Sequence, residues 1–204
     1  EQLSNDYTSV FRYHKPGVTF RYSDEIHNVS IGLQYQISDL NGHLNQNENE
    51  ITKDYKHFLP RAIWRDDIGN GKNLRISYTT WVNQPTITQL SPIVDNSDPL
   101  RLYVGNPNLN AEYTHNLNAM FHSFTQFSST SFFVSLNGSY TGDKIINSRI
   151  IDEQFREVTL PVNINQETKG SVYTSFGRPF KPIHSRFNIN LNASLTKTQN
   201  LVDN

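Results

Sequence analysis

Over residues 186–195 every second side chain is apolar: Phe187, Ile189, Leu191, Ala193 and Leu195 alternate with Arg186, Asn188, Asn190, Asn192 and Ser194. A period of two sorts side chains onto the two faces of an extended strand, and a helix cannot use it. The pattern recurs. Val29, Ile31, Leu33, Tyr35 and Ile37 alternate with Ser30, Gly32, Gln34 and Gln36. Leu74, Ile76, Tyr78, Thr80 and Val82 alternate with Arg75, Ser77, Thr79 and Trp81. Phe132, Val134, Leu136, Gly138 and Tyr140 oppose Phe133, Ser135, Asn137, Ser139 and Thr141. Residues 18–22, 58–64, 113–121 and 172–176 show shorter versions, and no apolar stripe of helical period accompanies them. The chain is therefore all-β, with about eight strands expected. Short turns at 23–28, 66–73, 123–131 and 177–185 alternate with long connections at 38–56, 83–111 and 142–168. The turn at 66–73 carries Asn70-Gly71, a strong hairpin signal. Strand extensions are expected around 145–151 and 155–163, and Pro60 at a position that donates no ladder bond or at a bulge. An up-and-down antiparallel sheet gives this rhythm, and 1–204 reads as part of one domain.

What solvent the apolar face meets is the next question. The net charge of −1 argues against a nucleic-acid partner or a polybasic membrane patch. The absence of cysteine excludes a disulfide scaffold and thiolate metal sites. No apolar run approaches the ~20 residues of a transmembrane helix, but a transmembrane barrel needs none, because its strands alternate. The start, EQLSNDYT, carries neither a basic nor an apolar signal region, so any signal peptide is expected outside this sequence.

Three details favour a transmembrane barrel over a soluble sandwich. The polar face is Asn, Ser, Thr, Gln and Arg with few Lys or Glu. Tyr22, Trp64, Phe121, Phe132, Phe176 and Phe187 lie near the short turns, and Tyr35, Tyr78, Tyr113 and Tyr140 near the long connections, as two interfacial girdles would. Tyr113 and Phe121 are eight residues apart. At ~3.3 Å per residue and a tilt near ~40° that spans about 20 Å, close to the ~25 Å apolar band of such barrels. A soluble all-β binding module is the alternative that periodicity leaves open.

Residues 74–118 resemble the C-terminal barrel of Bacteroidetes-type TonB-dependent receptors, an outer-membrane β-barrel family. The matching residues are Arg75 and Tyr78 on a strand, then Pro85, Gln89 and Leu90. Asp95, Asn96, Pro99 and Leu100 follow, and then Gly105, Asn106, Pro107, Leu109 and Glu112. Ala111 stands where the family usually has Pro, which should loosen the start of the next strand slightly. The resemblance implies the outer membrane of a Gram-negative bacterium, a plugged barrel of about 22 strands and ligand-gated nutrient uptake. Its implied partners are outer-membrane lipid, TonB through an N-terminal region outside this sequence, a small nutrient ligand and a surface lipoprotein. This sequence then reads as an internal part, about a third of a barrel, with the 89–116 segment as an extracellular loop closing over the mouth. A non-transporting structural barrel shares the architecture and stays open as a second reading.

Within the sequence no catalytic, cofactor or metal site is expected. The pairs Asp24/Glu25, Asp66/Asp67 and Asp152/Glu153 fall in turns and read as turn charges. The seven histidines have no zincin spacing. Asp95, Asn96 and Asp98 offer oxygens, but Asx residues favour turns in their own right. Ligand contact is assigned to Arg75, Trp81, Arg101 and Tyr103, the polar and aromatic groups expected at the lumen mouth. Leu136 and Leu191 are expected to face lipid.

Overall fold

The computed structural model describes residues 7–44 and 50–198. The strands are β1 (Tyr7–His14), β2 (Gly17–Ser23), β3 (His27–Leu44), β4 (Glu50–Gly69), β5 (Lys72–Asn83), β6 (Val94–Asp98), β7 (Arg101–Val104), β8 (Glu112–Thr125), β9 (Thr130–Ile151), β10 (Glu157–Phe180) and β11 (Ser185–Lys197). One helical turn, α1 (Ile87–Leu90), interrupts them, and a 3-10 turn (Lys181–Ile183) precedes β11. All eleven strands join one curled sheet.

Nine of the eleven segments fill eight lanes of wall. β1 and β2 share one lane along β3, broken at Lys15-Pro16, and the Pro16 carbonyl accepts the Tyr35 N–H across the break. β3, β4, β5, β8, β9, β10 and β11 follow as antiparallel neighbours. β6 and β7 belong to a connection and not to the wall.

Cross-strand register sorts the faces. One lateral row reads Phe20, Ile31, Ala62, Tyr78, Leu117, Gly138, Gly170 and Leu195. The adjacent row, on the other face, reads Arg21, Ser30, Ile63, Ser77, Asn118, Asn137, Ser171 and Ser194. The apolar face is bare: Phe20 is 67% exposed, Leu117 52% and Leu195 75%. An apolar surface spanning eight lanes exceeds what water tolerates on a monomer and marks contact with lipid or another apolar partner.

The Tyr-rich belt assembles on that face. The Tyr78 hydroxyl meets His115 Nδ1 at 2.7 Å, and the His115 ring touches Tyr113 and Tyr140. Tyr35 packs on Phe58, centroids 4.7 Å apart. In the Phe-rich belt Phe121 packs on Phe132 and Phe180 on Phe187, while Tyr22 and Trp64 donate toward the turn carboxylates Asp24 and Asp66. Apolar ring bodies with polar tips turned toward the water suit a membrane interface.

Residues 38–44 and 50–56, expected within a connection, are strand instead and extend the β3–β4 hairpin. The strand extensions expected around 145–151 and 155–163 are present and run further, with 142–151 and 157–168 lengthening β9–β10. Beyond the membrane both faces of a strand meet water or protein, so the apolar alternation ends while the ladder continues. The 66–73 hairpin turns through Gly69, Asn70 and Gly71, all with positive φ, as its Asn-Gly signal requires. Pro60 stands beside Arg61, the last β4 residue paired to β5, so its missing N–H interrupts no β4–β5 pair. Past Pro60 the two strands part, and Tyr55, Leu59, Val82 and Ala111, flanked by Tyr113, fill the opening.

Candidate functional site

Residues 84–111 form a strap across the polar, concave face. Its first anchor is apolar: Ile87, Leu90 and Leu109 pack with Leu40 of β3 and Ile51 of β4, and Ile145 of β9 closes the far side. Leu90 is fully buried and Leu109 is 2% exposed. One segment touches β3, β4 and β9 because the sheet curls around it. The sequence prepares this locally. Thr86 caps α1 in a reciprocal box with Gln89, so the polar motif residue satisfies the turn and Leu90 is aimed at the wall. Pro85 is buried ahead of it.

The second anchor uses the rest of the motif. Gly105 lies flat on α1; a side chain there would run into the carbonyls of Thr88, Gln89 and Ser91. The Asn106 N–H donates to the Gln89 carbonyl, and its side-chain amide reaches the Pro161 carbonyl at 3.1 Å. Pro107 is exposed in the turn that follows. Asn163 of β10 brackets Asn110, accepting its N–H at 2.8 Å and donating to its carbonyl at 3.2 Å. Glu112 is buried and accepts from Lys144 Nζ at 2.8 Å and the Ile145 N–H at 2.9 Å. Ala111, where the family pattern has Pro, is buried in one apolar cluster with Tyr55, Leu59 and Val82.

The outer part of the strap is the β6–β7 ribbon. β7 runs parallel to β10, pairing Arg101, Leu102 and Tyr103 with Glu157, Val158 and Thr159. Asp95 accepts from Ser97 and Asp98 from the Leu100 N–H, so both carboxylates serve turns. The side chain of Asn96 lies outside the described residues. The three carboxylate pairs likewise hold turns: Asp24 accepts the N–H groups of Ile26 and His27, Asp67 that of Gly69, and Asp152 those of Gln154 and Arg156. Among the described residues no group of three or more His, Asp or Glu is placed to hold a metal.

The four residues assigned to ligand contact do not converge. Arg75 stands near the short turns, opposite Arg65 and beside the 23–28 turn, which corrects its placement at the mouth: three residues into β5 the strand has not yet crossed the wall. Trp81 lies at the long-connection end of β5, on the concave side. Arg101 and Tyr103 sit lanes away on β7, Arg101 exposed and Tyr103 half-buried, with burial raising the Tyr103 phenol's pKa.

The structure instead draws attention to a polar cluster on the wall. Gln36 faces His57 across β3–β4, and Tyr55 faces Ser38 one step along. Gln36 Oε1, Tyr55 OH and His57 Nδ1 are all buried without a hydrogen-bond partner. Gln84, at the start of the strap, donates to Ser38 at 3.3 Å over the same patch. Tyr55 and His57 fell in a stretch read as loop or flank. Their inward parity on an otherwise Asn/Ser/Thr face was the signal that could have found them.

Comparison with known proteins agrees with this architecture. No curated protein matches the sequence. The crystal structure of the siderophore receptor PirA from Pseudomonas aeruginosa superposes with a TM-score of 0.54 at 10% identity. The match covers 93% of this chain but 41% of that one, so this chain spans less than half of its structural neighbour. A family model described as the outer membrane protein beta-barrel family matches residues 12–204. That match sets aside the soluble alternative: the convex apolar face meets the lipid of a Gram-negative outer membrane, and the chain belongs to the outer membrane protein beta-barrel family.

Proposed function

We propose that this barrel wall belongs to a TonB-dependent receptor that imports a small nutrient, and that the 84–111 strap gates access to its lumen. The observation that carries this is the strap lying over unpartnered polar groups. Each buried, unsatisfied group costs about 1–3 kcal/mol. Gln36, Tyr55 and His57 therefore favour any state in which water or a polar ligand reaches them. A purely structural barrel gains nothing from such an arrangement. The chain itself makes or breaks no bonds in this reading; it binds and admits. That PirA is a siderophore receptor supports a small ligand, and at 10% identity the likeness concerns the fold alone.

The test is uptake in cells. A strain lacking the gene should lose TonB-dependent accumulation of one member of a panel of small nutrients, and the wild-type gene should restore it. Gln36→Leu, Tyr55→Phe and His57→Leu should cut uptake at limiting nutrient while barrel levels stay normal. Normal uptake across the panel, with a leaky or weakened envelope, would assign the barrel to a structural assembly instead.

A further inference from the structure

Two glycines in the lipid-facing row have no internal reason to be glycine. Gly138 and Gly170 pair across β9 and β10 in the middle of long strands. Their backbones are ordinary: the glycines with positive φ among the described residues are Gly69 and Gly71. A side chain added at either position would meet nothing within 4 Å, whereas at Gly17, Gly32, Gly42, Gly105 and Gly177 it would collide. Glycine in a strand interior costs stability and marks close approach by something else. Here nothing among the described residues approaches, so the approach comes from outside.

The two positions form the floor of a groove of about 480 Å³ on the membrane side, with Leu117, Leu136, Val172 and Leu195 as walls. The groove is continuous with the lipid-facing band. Two residues along, toward the long connections, the next lipid-facing row reads Tyr140, Thr168 and Lys197. Lys197 is exposed and has the parity of Leu195, so a cation stands over an apolar groove at the level of a belt tyrosine.

We propose that this groove seats an acyl chain of a phosphate-bearing lipid whose headgroup lies at Lys197. An unfilled pit forfeits dispersion contacts on every wall, and a flexible chain restores them. The lysine adds attraction of the size known for basic residues at anionic membrane surfaces. Thr168 and Tyr140 flank it with hydroxyls.

The experiment uses the full-length protein, extracted from its own outer membrane in mild detergent and weighed intact by native mass spectrometry. Wild type should retain one lipid whose mass includes phosphate, and Gly138→Leu with Gly170→Leu should lose it. Gly138→Ala with Gly170→Ala serves as a milder filling variant if the leucine pair fails to assemble, and should reduce retention. In nanodiscs holding equal phosphatidylglycerol and diacylglycerol, wild type should enrich the phospholipid, and Lys197→Gln should lower that preference about fivefold. Equal retention by wild type and filled variants would overturn the proposal and leave the glycines a role in bending the sheet. Retention of detergent alone, a second barrel copy lost on filling, or no preference for the phospholipid would also overturn it.

Discussion

Glu112 satisfies three donors in a place with little water: the Lys144 ammonium, the Ile145 N–H and, at 3.4 Å, the Asn83 amide. Glu112→Ala should leave all three without it and loosen the strap by about 2–3 kcal/mol, since hydrogen bonds to buried charges are worth about that. Limited proteolysis of cells should then cut within 84–111 faster while the barrel resists. Gly105→Ala should act similarly at lower magnitude, about 1–2 kcal/mol, because its side chain displaces α1. His27, in the short-turn region outside the membrane, carries a pH dependence. The Asp66 carboxylate, chiefly through the hydrogen bond at 2.8 Å, raises the His27 pKa above its usual ~6.5. A raised pKa means that the clasp contributes fully below the unfolded value and is lost as pH rises through the folded one. Hydrogen exchange at the amides of 24–27 should therefore speed up beyond its intrinsic change as pH rises above the usual histidine value of ~6.5, and Asp66→Asn should abolish the excess. At the residue scale the family motif marked Gly105, Asn106 and Glu112 but not the partners they meet. Gln36, Tyr55 and His57 were not legible, because a polar residue on an inward face carries no sign of being left without a partner.

The strap is the element whose behaviour distinguishes a gate from a fixed cover. Its hold on the wall rests on Leu90 and Leu109, with Ile87 seated against Gly42. Leu90→Ala and Leu109→Ala should each cost about 2–5 kcal/mol of docking, as truncation in a closed apolar cluster does. Spin labels on the strap and on β3 should report a longer and broader distance in either variant. Sequence placed this segment as a loop over the mouth but could not give its path. The β6–β7 ribbon and its parallel pairing to β10 depend on partners more than fifty residues away, and nothing local encodes them. The β3–β4 extension through 38–44 and 50–56 escaped the periodicity for a different reason. Apolar alternation reports the membrane, and those strands continue past it.

At the scale of the whole molecule the wall was legible almost lane by lane, because a lipid-facing sheet must write its solvent into every second residue. The eight lanes, both aromatic belts and the face assignment follow from that one constraint. The cargo of the proposed uptake does not follow from it, since lipid-facing parity says nothing of what the inner face would bind. The central claim is that parity decides which solvent a residue meets, and adjacent positions on β11 test it. Leu191 faces lipid and Asn192 the lumen side. Arginine at a lipid-facing site near the midplane costs about 2–4 kcal/mol, and at a lumen site far less. The measurement is the amount of heat-modifiable, folded full-length barrel recovered from outer membranes. Leu191→Arg should deplete it strongly and Asn192→Arg should leave it near wild type; equal recovery of the two, or depletion by Asn192→Arg alone, would contradict the account.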